Sequence, residues 1–168
     1  MLRARLLLRG DGLAGLAIVA GGIIGLVAAA SPWYEAHARV SMLGADEAQV
    51  VASLAGLPGS APGWGVFVLA LVMLGVGITI AVDRPSTHAR TMVAIAAIAV
   101  AGAATAGLVL VPEVSVVAGA RTPSLLALRD RLPVGIDLEL VVVRGRGAWL
   151  ALASAAAGAL GAMGARGR

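Results

Sequence analysis

Four long apolar stretches separated by charged segments dominate the chain, and none of them contains Asp, Glu, Lys or Arg. A helix rises 1.5 Å per residue, so about 20 apolar residues cover the roughly 30 Å hydrocarbon layer of a bilayer. The pattern therefore predicts a bundle of four transmembrane helices. The predicted spans are about 13–32, 64–82, 91–111 and 148–165, and two long loops lie at about 33–63 and 112–147.

The first long loop begins with a regular alternation of apolar and polar residues. Tyr34, Ala36, Ala38, Val40 and Met42 alternate with polar side chains, which is the period of a half-buried strand. Acidic residues at 46–47 and apolar residues at 50, 51, 54 and 57 follow, and this spacing predicts a short helix.

The second long loop carries the same two kinds of element in reverse order. Thr122-Pro123 has the form of a helix N-cap followed by Pro at the first helical position, and leucines follow up to Leu132. Residues 136–143 then alternate again, which predicts a second strand. We therefore expect a small extracytoplasmic cap of two paired strands and two short helices on an otherwise all-α membrane protein.

The composition supports a membrane protein. Of the 168 residues, 60% are hydrophobic and 13% are charged, and the mean hydropathy is +0.95. Soluble domains are about 45–50% apolar and about 25% charged, and a small soluble protein has too little interior for so much apolar surface. Disordered chains are poor in apolar residues. The composition therefore excludes a soluble globular protein and a disordered chain, and it predicts one integral membrane domain over residues 1–168.

The arginines predict the orientation. All 13 basic residues are Arg, and seven of them fall in the short N-terminal, 83–90 and C-terminal segments. The positive-inside rule places these segments, with both termini, in the cytoplasm and the two long loops outside the plasma (inner) membrane. The pI of about 11.3 thereby reflects membrane flanks rather than a nucleic-acid surface. An alternative stays open, since residues 28–31 also resemble a signal-peptide cleavage site.

The spans themselves carry little chemistry. They contain no ionisable residue, and such residues usually mark ion and substrate pathways, so an ion-coupled transporter is disfavoured. Thr79, Thr105 and Ser154 are polar, and we expect them to bond carbonyls of their own helices. Gly21-x-x-x-Gly25 and Ser154-x-x-x-Gly158 place small residues four apart, and this spacing favours close helix packing.

Glu35, His37, Asp46 and Glu47 form the densest set of potential metal ligands or acid–base groups. Glu35 and His37 share one face of the predicted strand, which makes a metal or proton-transfer site geometrically feasible. Two residues do not make a site, however, and a solvated strand face is the simpler interpretation. We assign no catalytic, cofactor-binding or metal-binding residue and expect no cofactor. There is no Cys.

Aromatic and basic residues mark the outer ends of the predicted spans. Trp33, Tyr34, Trp64 and Trp149 are expected to form an interfacial aromatic belt. Arg144, together with Arg146, is expected to reach the membrane interface or to pair with nearby acids.

The layout resembles a known family. A basic start, a first span ending in Pro32-Trp33, two long outer loops and a last span entered through Trp149 resemble the small four-span actinobacterial Trp-biosynthesis-associated membrane proteins. The resemblance implies the four-span architecture. It implies no activity and no functional residues, because the name of that family reflects gene neighbourhood.

The sequence thus predicts a non-enzymatic accessory or scaffold protein that acts through protein–protein contacts in the membrane. Its partners would be the lipid bilayer and either a membrane protein or further copies of itself, with no nucleic acid. Two alternatives remain: a non-catalytic subunit of a transporter or envelope-lipid enzyme complex, and an outer-face ligand sensor built from residues 33–57 and 122–143.

Overall fold

A four-helix bundle with a small sheet at one end forms the computed structural model, which describes residues 10–42, 45–82, 86–133 and 136–165. In chain order the elements are α1 (Gly10–Ala30), β1 (Pro32–Met42), β2 (Ala45–Ala55), α2 (Ala61–Val82), α3 (Thr87–Val109), α4 (Val114–Ala118), α5 (Thr122–Arg129), β3 (Ile136–Arg144) and α6 (Arg146–Gly164). A short 3-10 turn joins α4 to α5.

Each of the four apolar stretches forms one long helix, and these helices are α1, α2, α3 and α6. All four are long and apolar enough to cross a membrane. Helix α1 packs on α2 and α6, and α3 packs on the same two helices, so the four form a ring. The predicted multi-pass architecture therefore holds by helix length and composition.

Small residues let α1 and α6 approach closely. A Cβ on Gly21 would lie 3.0 Å from the Ser154 carbonyl oxygen, and a Cβ on Gly25 would lie 2.8 Å from Ser154 Oγ. Ser154 is fully buried, and its hydroxyl donates to the Gly21 carbonyl at 2.7 Å. The predicted close packing at these positions is confirmed.

One expectation about polar side chains in the spans is wrong. Thr79 and Thr105 donate to carbonyls of their own helices, as expected, but Ser154 bonds to a different helix. The reason is that helical side chains lean toward the preceding turn, and residue 25, one turn after Gly21, is also a glycine. A Cβ there would lie 2.8 Å from Ser154 Oγ, so its absence lets the hydroxyl reach the Gly21 carbonyl.

Strands β1, β2 and β3 form an antiparallel sheet in the order β2-β1-β3. The predicted pairing of the two alternating segments is confirmed, because β1 pairs with β3 from Tyr34 opposite Arg144 to Met42 opposite Ile136. We call the sheet with α4 and α5 the cap. It lies at the end of the bundle where α1 and α3 end and where α2 and α6 begin.

The short helix predicted at 46–57 is wrong, since residues Ala45–Ala55 form the strand β2. The cap accordingly has three strands rather than two. Apolar residues at 50, 51 and 54 fit a helical stripe, but adjacent β-branched valines also suit a strand. Pairing with β1 provides partners for one side of the backbone of this segment, from Ala55 to Ala45.

The second predicted short helix is present as α5, with small differences at its start. Pro123 lies in the first turn as expected, but Thr122 is already helical and Arg121 occupies the cap position. A further one-turn helix, α4, precedes it and packs across all three strands. The sequence pattern does not predict α4.

Candidate functional site

Trp33 joins the cap to the bundle. Its side chain is 0% exposed, and its Nε1 donates to the Ala28 carbonyl at 2.9 Å. Three glycines make room for the ring, because a Cβ on Gly107 of α3, on Gly147 of α6 or on Gly56, which directly follows β2, would overlap it. The cap is therefore fixed by a large side chain inserted among glycine backbones.

Tyr34 and Arg144 attach the sheet to the end of α3. The Tyr34 hydroxyl lies 2.7 Å from the Gly107 carbonyl oxygen and 3.1 Å from that of Leu110, and Arg144 Nε donates to the Leu108 carbonyl at 2.6 Å. The last carbonyls of a helix lack partners within the helix, and a cation is favourable there. Burial raises the pKa of the Tyr34 phenol, while the neighbouring Arg144 charge acts in the opposite direction.

These contacts correct two sequence predictions. Trp64 and Trp149 are 50% and 59% exposed at the cap-side ends of α2 and α6, as an interfacial belt requires. Trp33 and Tyr34 are instead buried, because β1 follows α1 directly and directs both rings into the space between bundle and sheet. Of the two alternatives for Arg144, pairing with the acids on β3 is wrong, because the guanidinium binds a carbonyl at the end of α3. A position at the membrane interface stays a prediction.

A cleft of about 560 Å³ opens on the cap. It runs along β3 between the sheet and the segment that carries α4 and α5. Its lining residues come from both long loops and are Arg39, Ser41, Glu113, Val114, Ser115, Thr122, Leu126, Arg129, Asp137, Leu138, Glu139 and Leu140. Four of these are consecutive residues of β3, so the cleft follows the strand itself.

The cleft combines opposite charges with leucine surface. Two guanidinium groups, on Arg39 and Arg129, face a lining that also holds three carboxylates, on Glu113, Asp137 and Glu139. In the sheet register Arg39 lies opposite Glu139. Thr122 Oγ1 is buried and has no hydrogen-bond partner among the described residues. This lining can hold a ligand or peptide that carries both charged and apolar groups.

The sequence-predicted pair Glu35 and His37 does come together. His37 Nε2 lies 3.3 Å from Glu35 Oε2, and both side chains are partly exposed. Glu47 lies opposite Val40 in the sheet register and so belongs to the other face, and the Asp46 side chain is outside the described residues. Within the described ranges no three His, Cys, Asp or Glu side chains are grouped as metal ligands.

The cleft is not predictable as a site from the sequence pattern. Its residues are spread over 39–41, 113–129 and 137–140, and no motif connects them. The signal in the sequence is weak, because it consists only of charged residues on both long loops that neither flank a span nor belong to one helix. Register and the packing of α4 on the sheet bring them together.

The comparisons with known proteins give no family for the chain: no protein-family model matches it, and no curated protein matches it.

Proposed function

We propose that this protein is a non-catalytic accessory or scaffold protein of the plasma membrane that binds a partner protein through its cap. The cleft along β3 carries this proposal. Among the described strands β3 has a neighbour only on its β1 side. Extended segments bind to such edges by adding a strand, with side-chain pockets providing specificity. The leucines and charged groups beside Asp137–Leu140 supply such pockets.

The rigid joint between cap and bundle supports the same role. Trp33 fixes the sheet to three helices, and Tyr34 with Arg144 fixes it to α3. A partner bound at β3 is therefore held at a set distance from the membrane. This is what an accessory protein, or a non-catalytic subunit of a transporter or envelope-lipid enzyme, has to provide.

Photo-crosslinking at two leucines of α5 tests the proposal. Leu126 lines the cleft, whereas Leu128 on the same helix does not, and the two are 45% and 52% exposed. A photoreactive residue at Leu126 should crosslink to a protein that also co-purifies stoichiometrically in mild detergent, and one at Leu128 should not. Equal crosslinking from both positions, or purification without a partner, would contradict it.

We further propose that the cap faces outward and that both termini are cytoplasmic. The arginine distribution supports this orientation through the positive-inside rule. The seven arginines concerned are Arg3, Arg5, Arg9, Arg84, Arg90, Arg166 and Arg168, of which Arg90 lies in the described residues. A reporter fused near Gly59 should report an extracytoplasmic position, and a cytoplasmic signal there would reverse the topology.

An outer-face ligand sensor is the second candidate function, and the size of the cleft favours it. Small-molecule sites typically have volumes of about 300–1,000 Å³, and this cleft has about 560 Å³. Paired positive and negative groups suit a zwitterion. A thermal-shift screen of zwitterionic metabolites should then give a stabilising ligand whose effect is lost in Arg129→Gln and kept in Arg131→Gln, which changes an exposed arginine outside the lining.

The resemblance to the Trp-biosynthesis-associated membrane proteins belongs to the same proposal. It depends on Pro32-Trp33 and Trp149, and the burial of Trp33 supports a structural reason for that dipeptide. A sequence alignment with members of that family tests the resemblance at the positions of Gly107 and Gly147, the two glycines that contact Trp33. The family assignment requires small residues at both aligned positions.

A further inference from the structure

A second groove lies at the opposite end of the bundle from the cap. It has a volume of about 460 Å³ and runs between the start of α3 and the end of α6. Thr87, Arg90 and Thr91 form its polar end, and Ala94, Ile98 and Ala159 continue it along the two helices. The groove is therefore polar at the start of α3, whereas its α6 side is apolar up to Ala162 and Met163.

Arg90 has an unsatisfied donor in this groove. Its Nε is buried and has no hydrogen-bond partner among the described residues, and no described carboxylate forms an ion pair with it. A buried donor without a partner is energetically unfavourable. Arg90 is a lining residue of the groove, so an anion that enters the groove would lie beside its positive charge.

The apolar part of the groove has the geometry of an acyl-chain site. Arg90, Ala94 and Ile98 are four residues apart, so they lie on one face of α3 and span about 12 Å along it. Ala94 and Ala159 have short side chains that leave the space open. Ile98 is 73% exposed, which makes the groove accessible from the side of the bundle.

We propose that this groove binds one anionic phospholipid, with the phosphate on Arg90 and the Thr87 hydroxyl and with one acyl chain along Ala94, Ile98 and Ala159. Guanidinium groups form strong charge-assisted hydrogen bonds to phosphate oxygens. A charged headgroup on an apolar chain matches both ends of the groove, whereas a free phosphate matches only one. The site is independent of the cleft on the cap.

Native mass spectrometry of the detergent-purified protein tests this site. Phosphatidylglycerol and phosphatidylcholine with identical chains are titrated against the protein, and phosphatidylglycerol should bind more tightly. Arg90→Gln should weaken phosphatidylglycerol binding about fivefold, which corresponds to about 1 kcal/mol for one interfacial arginine. Arg90→Lys should keep most of the preference, and Arg131→Gln, in the exposed turn after α5, should keep all of it.

Two further measurements address the acyl chain. Ala159→Leu fills the apolar part without changing the charge, so it should weaken binding of phosphatidylglycerol while Arg90 is intact. Glycerol phosphate, which has the anion without the chains, should not displace the lipid. Unchanged lipid preference in Arg90→Gln, unchanged binding in Ala159→Leu, or displacement by glycerol phosphate would each overturn the proposal.

Discussion

Tyr34 and Arg144 lie directly opposite each other on β1 and β3, and both bind carbonyls at the end of α3. This cross-strand pair connects the sheet to a helix that is more than 70 residues away from Tyr34 in the chain. It also couples the two long loops, since each contributes one member.

Removal of the Tyr34 hydroxyl should destabilise the protein. Tyr34→Phe leaves the Gly107 carbonyl without this donor, and we expect the free energy of unfolding to fall by about 1–2 kcal/mol. Unfolding by SDS in mixed micelles measures the change. Thr105→Val is the control, because that exposed hydroxyl bonds only its own helix and its loss should change little.

The Tyr34 and Arg144 substitutions should not be additive. Both side chains bind carbonyls at the same helix end. Loss of one contact should therefore reduce the contribution of the other to the free energy of unfolding. The double variant Tyr34→Phe/Arg144→Gln should be less destabilised than the sum of the two single variants. If the double variant equals that sum, the two contacts act independently.

The ionisation of Tyr34 can be followed directly, because it is the only tyrosine in the sequence. Burial raises the pKa of Tyr34 above its ordinary value of 10.0, and Arg144 partly offsets this effect. Ultraviolet titration of the folded protein should therefore give a tyrosinate midpoint above that of the unfolded chain. Arg144→Gln should move the midpoint further upward, whereas a downward movement would contradict the geometry.

The same shift affects stability at alkaline pH. The folded state favours the neutral phenol, so this contribution to stability is complete below the unfolded pKa of 10.0 and is lost as pH rises through the raised folded pKa. Over that alkaline range Tyr34→Phe should lose less stability than the parent protein. Melting temperatures of both proteins in detergent across this pH range measure the difference.

Substitution of a glycine that contacts the Trp33 ring should lower the free energy of unfolding, because the added Cβ overlaps the ring. Gly107→Ala places a Cβ into the Trp33 ring, and we expect a loss of about 1–3 kcal/mol. Gly102→Ala on the same helix meets no atom within 4 Å and should be neutral or stabilising by up to about 1 kcal/mol. Thermal unfolding measures both, and equal effects would show that Trp33 is not closely enclosed.

The contact between Ser154 and Gly21 should contribute modestly to helix association. Hydrogen bonds between membrane helices average about 0.6 kcal/mol, so Ser154→Ala should cost about that amount. Gly25→Ala should cost more, because its Cβ would lie 2.8 Å from both Ser154 Oγ and Ala70 Cβ. Gly75→Ala, where the space is open, is the matched control. SDS titration of the three variants should reproduce this order.

Sequence patterns predicted the long helices well because each depends on a local property, an apolar run of sufficient length. The strand at 34–42 was also predictable, since its alternation is local. Residues 46–57 were not, because Val50, Val51 and Leu54 suit either a helix or a strand and only pairing with β1 decides between them. The cleft on the cap could not be predicted, since Arg39, Arg129 and Asp137 are assembled by register and packing.

The sequence by itself determined that the chain has four membrane-length apolar helices, two long loops and one short connection between them, and no charge within the predicted spans. These properties depend on composition and spacing over about 20 residues. The tertiary structure decided that Trp33 and Tyr34 are buried rather than interfacial, that Ser154 bonds a neighbouring helix, and that the loops form a three-stranded cap with a cleft. Each of these depends on atoms that are distant in the chain, and their contacts arise only when the helices and strands pack together.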